Sequence, residues 1–191
     1  MDYRPYLKFY PNFPKKGVNF VDIIPLIQDK ELFRHVIDDL AAMCTCPNLA
    51  APEARGFLFA TPMLLSYDIE NVIPLRKKGK LPFSQGDLIQ VEIMKEYGPD
   101  HVYFRRSDIA ASKPTGDTIE ITFFDDILAT GGTARGLALG LNAQKVTING
   151  KQYNVKVKDF VFLVEIDDLP GRSRLEDIAP VKSLIHVKES D

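Results

Sequence analysis

The chain has 191 residues, 45% of them hydrophobic, with 24 basic side chains against 26 acidic ones. That length suits one domain with an appendage, and the balanced charge excludes the global field that draws nucleic acid or an anionic membrane. No run of 18 apolar residues and no secretory h-region occurs, so a soluble cytoplasmic protein is expected.

In chain order, residues 1–20 are rich in Tyr, Phe and Pro and predict an extended arm over a surface. Asp29 is placed to cap a helix through about Met43. Leu32, Phe33, Val36, Ile37 and Leu40 recur there at helical spacing, with Lys30, Glu31, Arg34, Asp38 and Asp39 on the polar side. Cys44 and Cys46 form a lone C-x-C. With two cysteines and three scattered histidines a zinc site is not expected, and residues two apart pair poorly, so reduced thiols are. A short strand should precede Glu53 and a helix should cover 57–68. Val72 to Leu75 reads as a strand, with Pro74 against a central place. Arg76, Lys77, Lys78 and Lys80 form the densest basic cluster, by itself a solvated turn. Residues 83–105 read as a hairpin or mobile flap.

The richest stretch is Thr118 to Arg135. Ile119, Ile121 and Phe123 alternate with Glu120, Thr122 and Phe124, a period-2 strand. Asp125 and Asp126 follow where that strand should leave the sheet. Thr130, Gly131, Gly132 and Thr133 then lead into a helix expected to begin at Thr133. Two glycines let backbone amides turn to one point, two hydroxyls add donors, and the helix aims its positive end there. The pattern is an anion cradle sized for a phosphate monoester. Two acids beside it would repel phosphate, but suit hydroxyl groups or a metal ion on the same ligand. A phosphate with a vicinal diol is a sugar phosphate. Neither the G-x-x-x-x-G-K-[ST] loop nor the G-x-G-x-x-G turn is present. Asn149-Gly150, between alternating segments at 146–157, predicts a two-residue hairpin. Phe160 to Ile166 reads as a strand buried on both faces of a parallel sheet. Strands alternating with helices argue an α/β fold with an open, doubly wound sheet and ligands at the C-terminal strand ends.

The Asp-Asp and Thr-Gly-Gly-Thr segment resembles the phosphoribosyl pyrophosphate loop of the type I phosphoribosyltransferases, and DDILATGGT is most similar to the adenine group. FPKKGVNFVDIIPLI at 13–27 resembles that family's base-binding segment, EARGFLF at 53–59 its pyrophosphate loop, and RKKGKLP at 76–82 its basic turn. EYG at 96–98 resembles the end of its mobile hairpin and LVEI at 163–166 its hood strand. The match covers roughly residues 9–171.

The resemblance implies a mainly parallel sheet with a small hood from 9–27 and about 165–187, a flap at about 81–105, and an extra hairpin at about 146–157. It implies transfer of phosphoribosyl from phosphoribosyl pyrophosphate to adenine, giving AMP and pyrophosphate. Alternatives are the same reaction on xanthine, hypoxanthine or guanine, or a non-catalytic sensor of phosphoribosyl pyrophosphate. Arg55, Arg76 and Lys80 would meet pyrophosphate, the basic turn reaching a neighbouring subunit, so a homodimer is implied. Asp125, Asp126, Ala129, Thr130, Gly131, Gly132 and Thr133 would hold the sugar phosphate. Mg2+ would be held through substrate rather than by protein ligands. Phe20 and Ile166 would sandwich the base, and Glu96 would meet its N7. Ala129 stands where related 6-oxopurine enzymes have an Asp, which argues for an aminopurine. Two departures from the family are Val21, where an Arg is common, and the long segment from Leu81 to Glu96, which lacks a common Ser-Tyr pair.

Overall fold

In the computed structural model of the chain, every residue is described except Tyr67, Glu96 and Tyr97, together with the side chains of Met94 and Lys95. The chain opens with an antiparallel pair, β1 (Lys8–Pro11) and β2 (Asn19–Asp22), followed by a single turn, α1 (Pro25–Gln28). The Asp29 carboxylate accepts the Leu32 amide at 2.8 Å and starts α2 (Lys30–Met43), a cap worth about 1 kcal/mol. Leu32, Val36, Ile37, Leu40 and Ala41 are buried along one stripe, as the spacing requires.

Then come β3 (Asn48–Pro52), α3 (Arg55–Met63), β4 (Asn71–Lys77), β5 (Leu88–Lys95), β6 (Gly98–Arg105) and α4 (Arg106–Ala110). The second half supplies β7 (Thr118–Leu128), α5 (Gly132–Asn142), β8 (Lys145–Ile148), β9 (Lys151–Ile166) and β10 (Val181–Val187). Helix α3 departs from the expected 57–68. It starts earlier and stops after Pro62, which has no amide for the helical ladder and closes the last turn.

The strands β3 to β10 make one sheet in the order β10-β9-β7-β3-β4-β6-β5, with β8 on β9. The central pairs β10·β9, β9·β7, β7·β3 and β3·β4 are parallel, while β4·β6, β6·β5 and β8·β9 are antiparallel. This is the open, mainly parallel α/β sheet expected. Helices cover both faces, and β7 shows how. Phe123 packs into the core beside α5, whereas its neighbour Phe124 packs into the core beside α2 and α3. Side chains that alternate across the pleat feed opposite layers.

Strand β9 records the same logic in its burial. From Lys151 to Lys158 it alternates outward and inward, because one face is covered. From Asp159 to Glu165 every residue is buried, because both faces are. The turn into it is the predicted Asn149-Gly150 pair, with positive φ at both residues (49° and 82°). Pro74 is tolerated inside β4. Leu75 accepts the Glu53 amide and so faces β3, which turns Pro74 the other way, and β6 pairs only with Arg76 and Lys77.

Strand β5 lies against α5 with no clearance. A Cβ on Gly136 would come 2.7 Å from Ile93 Cγ2, and one on Gly140 would come 2.5 Å from Val91 Cγ2. Among the described residues no helix is long and apolar enough to cross a membrane.

Candidate functional site

The C-terminal ends of β3, β4, β7 and β9 carry most of the residues singled out by sequence. β7 runs further than expected. It does not release the chain at the acids but continues to Leu128, pairing Ile127 with Val164 and Leu128 with Glu165. Asp125 and Asp126 are therefore held by the sheet itself. The chain then turns through Ala129 and Thr130 to Gly131, whose φ of +76° is a left-handed conformation that favours glycine. Helix α5 begins at Gly132, one residue before the expected Thr133. The Gly131 carbonyl accepts the Arg135 amide at 2.9 Å, the first helical bond. Amides 132–134 precede that bond and have no intrahelical acceptor. A cavity of about 150 Å³ is lined by Asp125, Thr130, Gly131, Gly132, Thr133 and Phe162, among others.

Asp126 is buried. Arg55 Nε lies 2.7 Å from its Oδ2, yet its N–H does not point at that oxygen, which is left without a hydrogen bond. Asp125 is half-buried, and its Oδ1 accepts the Asp126 amide at 2.8 Å. Gly56 allows this approach, since a Cβ there would stand 3.2 Å from that same oxygen. Burial, and then the negative charge of Asp126, push the Asp125 carboxyl well above the ordinary carboxylate range, while Arg55 opposes the shift less strongly.

The sign of this shift gives a stability prediction. Below about pH 4 Asp125 is protonated folded or unfolded and contributes nothing. As pH rises, the unfolded chain ionises first and the folded state is progressively penalised. Asp125→Asn should therefore raise Tm at neutral pH by about 2–4 °C for each kcal/mol relieved, with the gain vanishing near pH 4. Thermal melts across pH check it, and an unchanged or lower neutral Tm would overturn it.

At the ends of β3 and β4, Arg55 donates from Nη1 to the Val21 carbonyl at 3.4 Å and lies 5.1 Å from the centroid of Phe20. One arginine thus joins the hood pair to the acids of β7. Arg76 pairs with Glu53 of its own chain and sits 5.6 Å from the Phe57 ring centroid. Glu53 also accepts the Lys77 amide at 3.1 Å. Burial would raise its carboxyl, but the bonds from Arg76 and Lys77 bring it below the usual range. Sequence reading missed Glu53. Its role becomes visible only once β3 and β4 are known to be neighbours, with Pro52 opposite Leu75. Lys80 is exposed in the turn after β4, where its amide bonds the Lys77 carbonyl at 3.2 Å.

Phe20 sits on β2 with Phe13 edge-on at 5.2 Å. Ile166 ends β9 opposite Val187. Ala129 is half-buried at the start of the glycine turn. Glu96 lies outside the described residues. Strands β5 and β6 pair on either side of it, up to Lys95 opposite Gly98. The cysteines are free, and burial, reinforced by Asp159, pushes the Cys44 thiol up to about 12, so it is no nucleophile.

No model of a known protein family matches the chain. The chain is similar to the adenine phosphoribosyltransferase of Maridesulfovibrio salexigens, 35% identical over 181 residues that span 93% of this chain and 95% of the relative. In three dimensions it is similar to the adenine phosphoribosyltransferase of Thermoanaerobacter pseudethanolicus, with a TM-score of 0.77 and 32% identity, covering 96% and 97% of the two chains. It is also similar to the Saccharomyces cerevisiae adenine phosphoribosyltransferase complexed with adenine and an imino-altritol bisphosphate. The TM-score is 0.72 at 28% identity, covering 94% of each chain.

Proposed function

The chain belongs to the adenine phosphoribosyltransferases, and from that premise we propose how its residues carry phosphoribosyl transfer from phosphoribosyl pyrophosphate to adenine, giving AMP and pyrophosphate. The observation that supports the reading best is the meeting of Asp125, a left-handed glycine turn and a helix start around one small cavity, with Asp126 next to Asp125 on the strand.

In this reading the amides of residues 130–133 hold the 5′-phosphate, and the carboxyls of Asp125 and Asp126 receive the ribose hydroxyls. The bond from C1 to pyrophosphate loosens first, leaving an oxocarbenium-like sugar. Arg55, Arg76 and Lys80 meet the charge that grows on the leaving group. Phe20 and Ile166 flank the base, and Glu96 takes the N7 side, where a carboxylate can manage the imidazole proton.

The cradle brings two carboxylates together. Among the described residues the one group of three candidate metal-binding side chains is Glu165, Asp167 and His186, on the hood. A pair of acids fits Mg2+, which would be held mainly through substrate and water beside Asp125 and Asp126. When bound, such an ion neutralises phosphate charge.

Adenine is favoured by Ala129, which places no acid where a 6-oxopurine would need one. Stacking between Phe20 and Ile166 discriminates little between purines, so selection falls on backbone groups. One mispaired polar group there costs about 1–3 kcal/mol, roughly tenfold to a hundredfold. Pyrophosphate release should therefore be followed with Mg2+ and a panel of bases. Adenine is expected to exceed hypoxanthine and guanine in kcat/KM by at least about tenfold. Equal or better turnover of a 6-oxopurine would refute the base assignment.

A further inference from the structure

The hood segment after β9 is locked against the glycine turn that follows β7. Glu165, buried in β9, receives Arg172 through two bonds of 2.8 and 2.5 Å, and the Ser183 hydroxyl at 2.6 Å. Arg172 also bonds the Val181 carbonyl at 2.7 Å. Those anchors fix its neighbour Gly171 where no side chain could fit. A Cβ on Gly171 would collide with the Ala129 carbonyl oxygen, and a Cβ on Gly131 would lie 2.8 Å from the Gly171 oxygen. Three residues after Gly171, Arg174 Nη1 donates to the Thr130 carbonyl at 3.1 Å. From the helix side, Arg135 donates to the Arg174 carbonyl at 2.5 Å and forks onto Asp177 at 2.6 and 2.9 Å.

These contacts have a directional consequence. In a planar trans peptide the carbonyl and the following amide point opposite ways. The Ala129 carbonyl faces Gly171 and the Thr130 carbonyl faces Arg174. The amides of Thr130 and Gly131 are thereby turned away from the hood. Residues 171–177 hold the carbonyl side of the loop, leaving its donors to an anion.

We propose that Gly171–Asp177 is a brace that presets the phosphate loop, with Arg174 as its positioning residue. The proposal rests on the cradle reading above and adds the hood as the part that keeps the cradle's amides aimed. It ties the 5′-phosphate and base sites together, because the same segment continues from Ile166 at the end of the hood strand.

Steady-state kinetics and calorimetry on the whole enzyme test it, using Arg174→Ala, Arg174→Lys and Asp177→Asn. Arg174→Ala should raise KM for phosphoribosyl pyrophosphate and Kd for ribose 5-phosphate by about tenfold. KM for adenine, kcat and the Kd of inorganic pyrophosphate should hold within about twofold. Arg174→Lys should recover part of the loss, since an ammonium still reaches a carbonyl. Asp177→Asn should show a smaller effect in the same direction, and these two variants carry the comparison if Arg174→Ala melts early. Wild-type ribose 5-phosphate affinity in Arg174→Ala, beside lost affinity in an Asp125/Asp126 variant, overturns the brace and leaves the cradle standing. Equal weakening of pyrophosphate and ribose 5-phosphate also overturns it, as a general structural effect. If neither set changes ribose 5-phosphate binding, the cradle reading itself falls.

Discussion

Replacing Asp125 and Asp126 together by Ala is expected to weaken phosphoribosyl pyrophosphate binding by a few kcal/mol, at about 1.5–3 kcal/mol for each charged hydrogen bond lost. The expectation follows from where the strand places them. Both carboxyls are fixed by β7, one buried and one against Gly56, so neither can swing aside to be replaced by its neighbour. In the free protein this arrangement works against stability, because burial and mutual repulsion resist ionisation of Asp125. Groups held so unfavourably without ligand have the most to gain from one, and ribose hydroxyls donating to these carboxyls would offset the cost of burying them. The double variant should thus lose affinity without losing its fold. Isothermal calorimetry on a variant shown folded by its melting curve decides the matter. Unchanged affinity would remove the acids from the sugar site.

The second large effect is expected at Glu96. Its carboxylate is proposed to act on N7 of the purine, and Glu96→Gln should lower turnover by roughly 10²-fold or more, in the range of general acid–base work. The amide keeps the shape and a hydrogen bond but cannot take or return the proton. Phosphoribosyl pyrophosphate binding by itself should barely move, since the proposed sugar-phosphate site lies at Asp125 to Thr133. The split between turnover and binding is what distinguishes a proton-handling residue from a structural one. Near-normal turnover in Glu96→Gln would end the assignment.

The parts of this molecule readable from sequence were those whose signal is local. Asp29 announces α2 because a cap acts over three residues. Asn149-Gly150 announces its hairpin because both residues must reach positive φ. Asp125 through Thr133 announces a strand end, a glycine turn and a helix start because strand, acids and glycines lie in one short run. The parts that stayed hidden depend on pairing at a distance. Glu53 meets Arg76 because β3 and β4 are parallel neighbours. Arg174 meets Thr130 across 44 positions, and nothing in G-R-S-R marks those arginines as inward ties. The misplaced end of α3 has another cause. Hydrophobic residues run on past Pro62, so apolar spacing continued after the backbone ladder had stopped.

The glycines of α5 have a metrical consequence. Gly132, Gly136 and Gly140 stand four apart, and four helical residues advance about 6 Å. Two residues of an antiparallel strand advance about 6.8 Å. The two elements therefore run almost in step, with Val91 seated at Gly140 and Ile93 at Gly136. One more step of each, at the same spacing, would carry β5 to Lys95 and α5 to its first residue, Gly132. The helix is a ruler along which β5 is measured out, and its zero mark is the glycine turn after β7. A one-residue insertion between Val91 and Ile93 would shift that reading by about 3.4 Å and turn Ile93 to the other face. Exchanging Gly136 or Gly140 for alanine would force Ile93 or Val91 out of its seat.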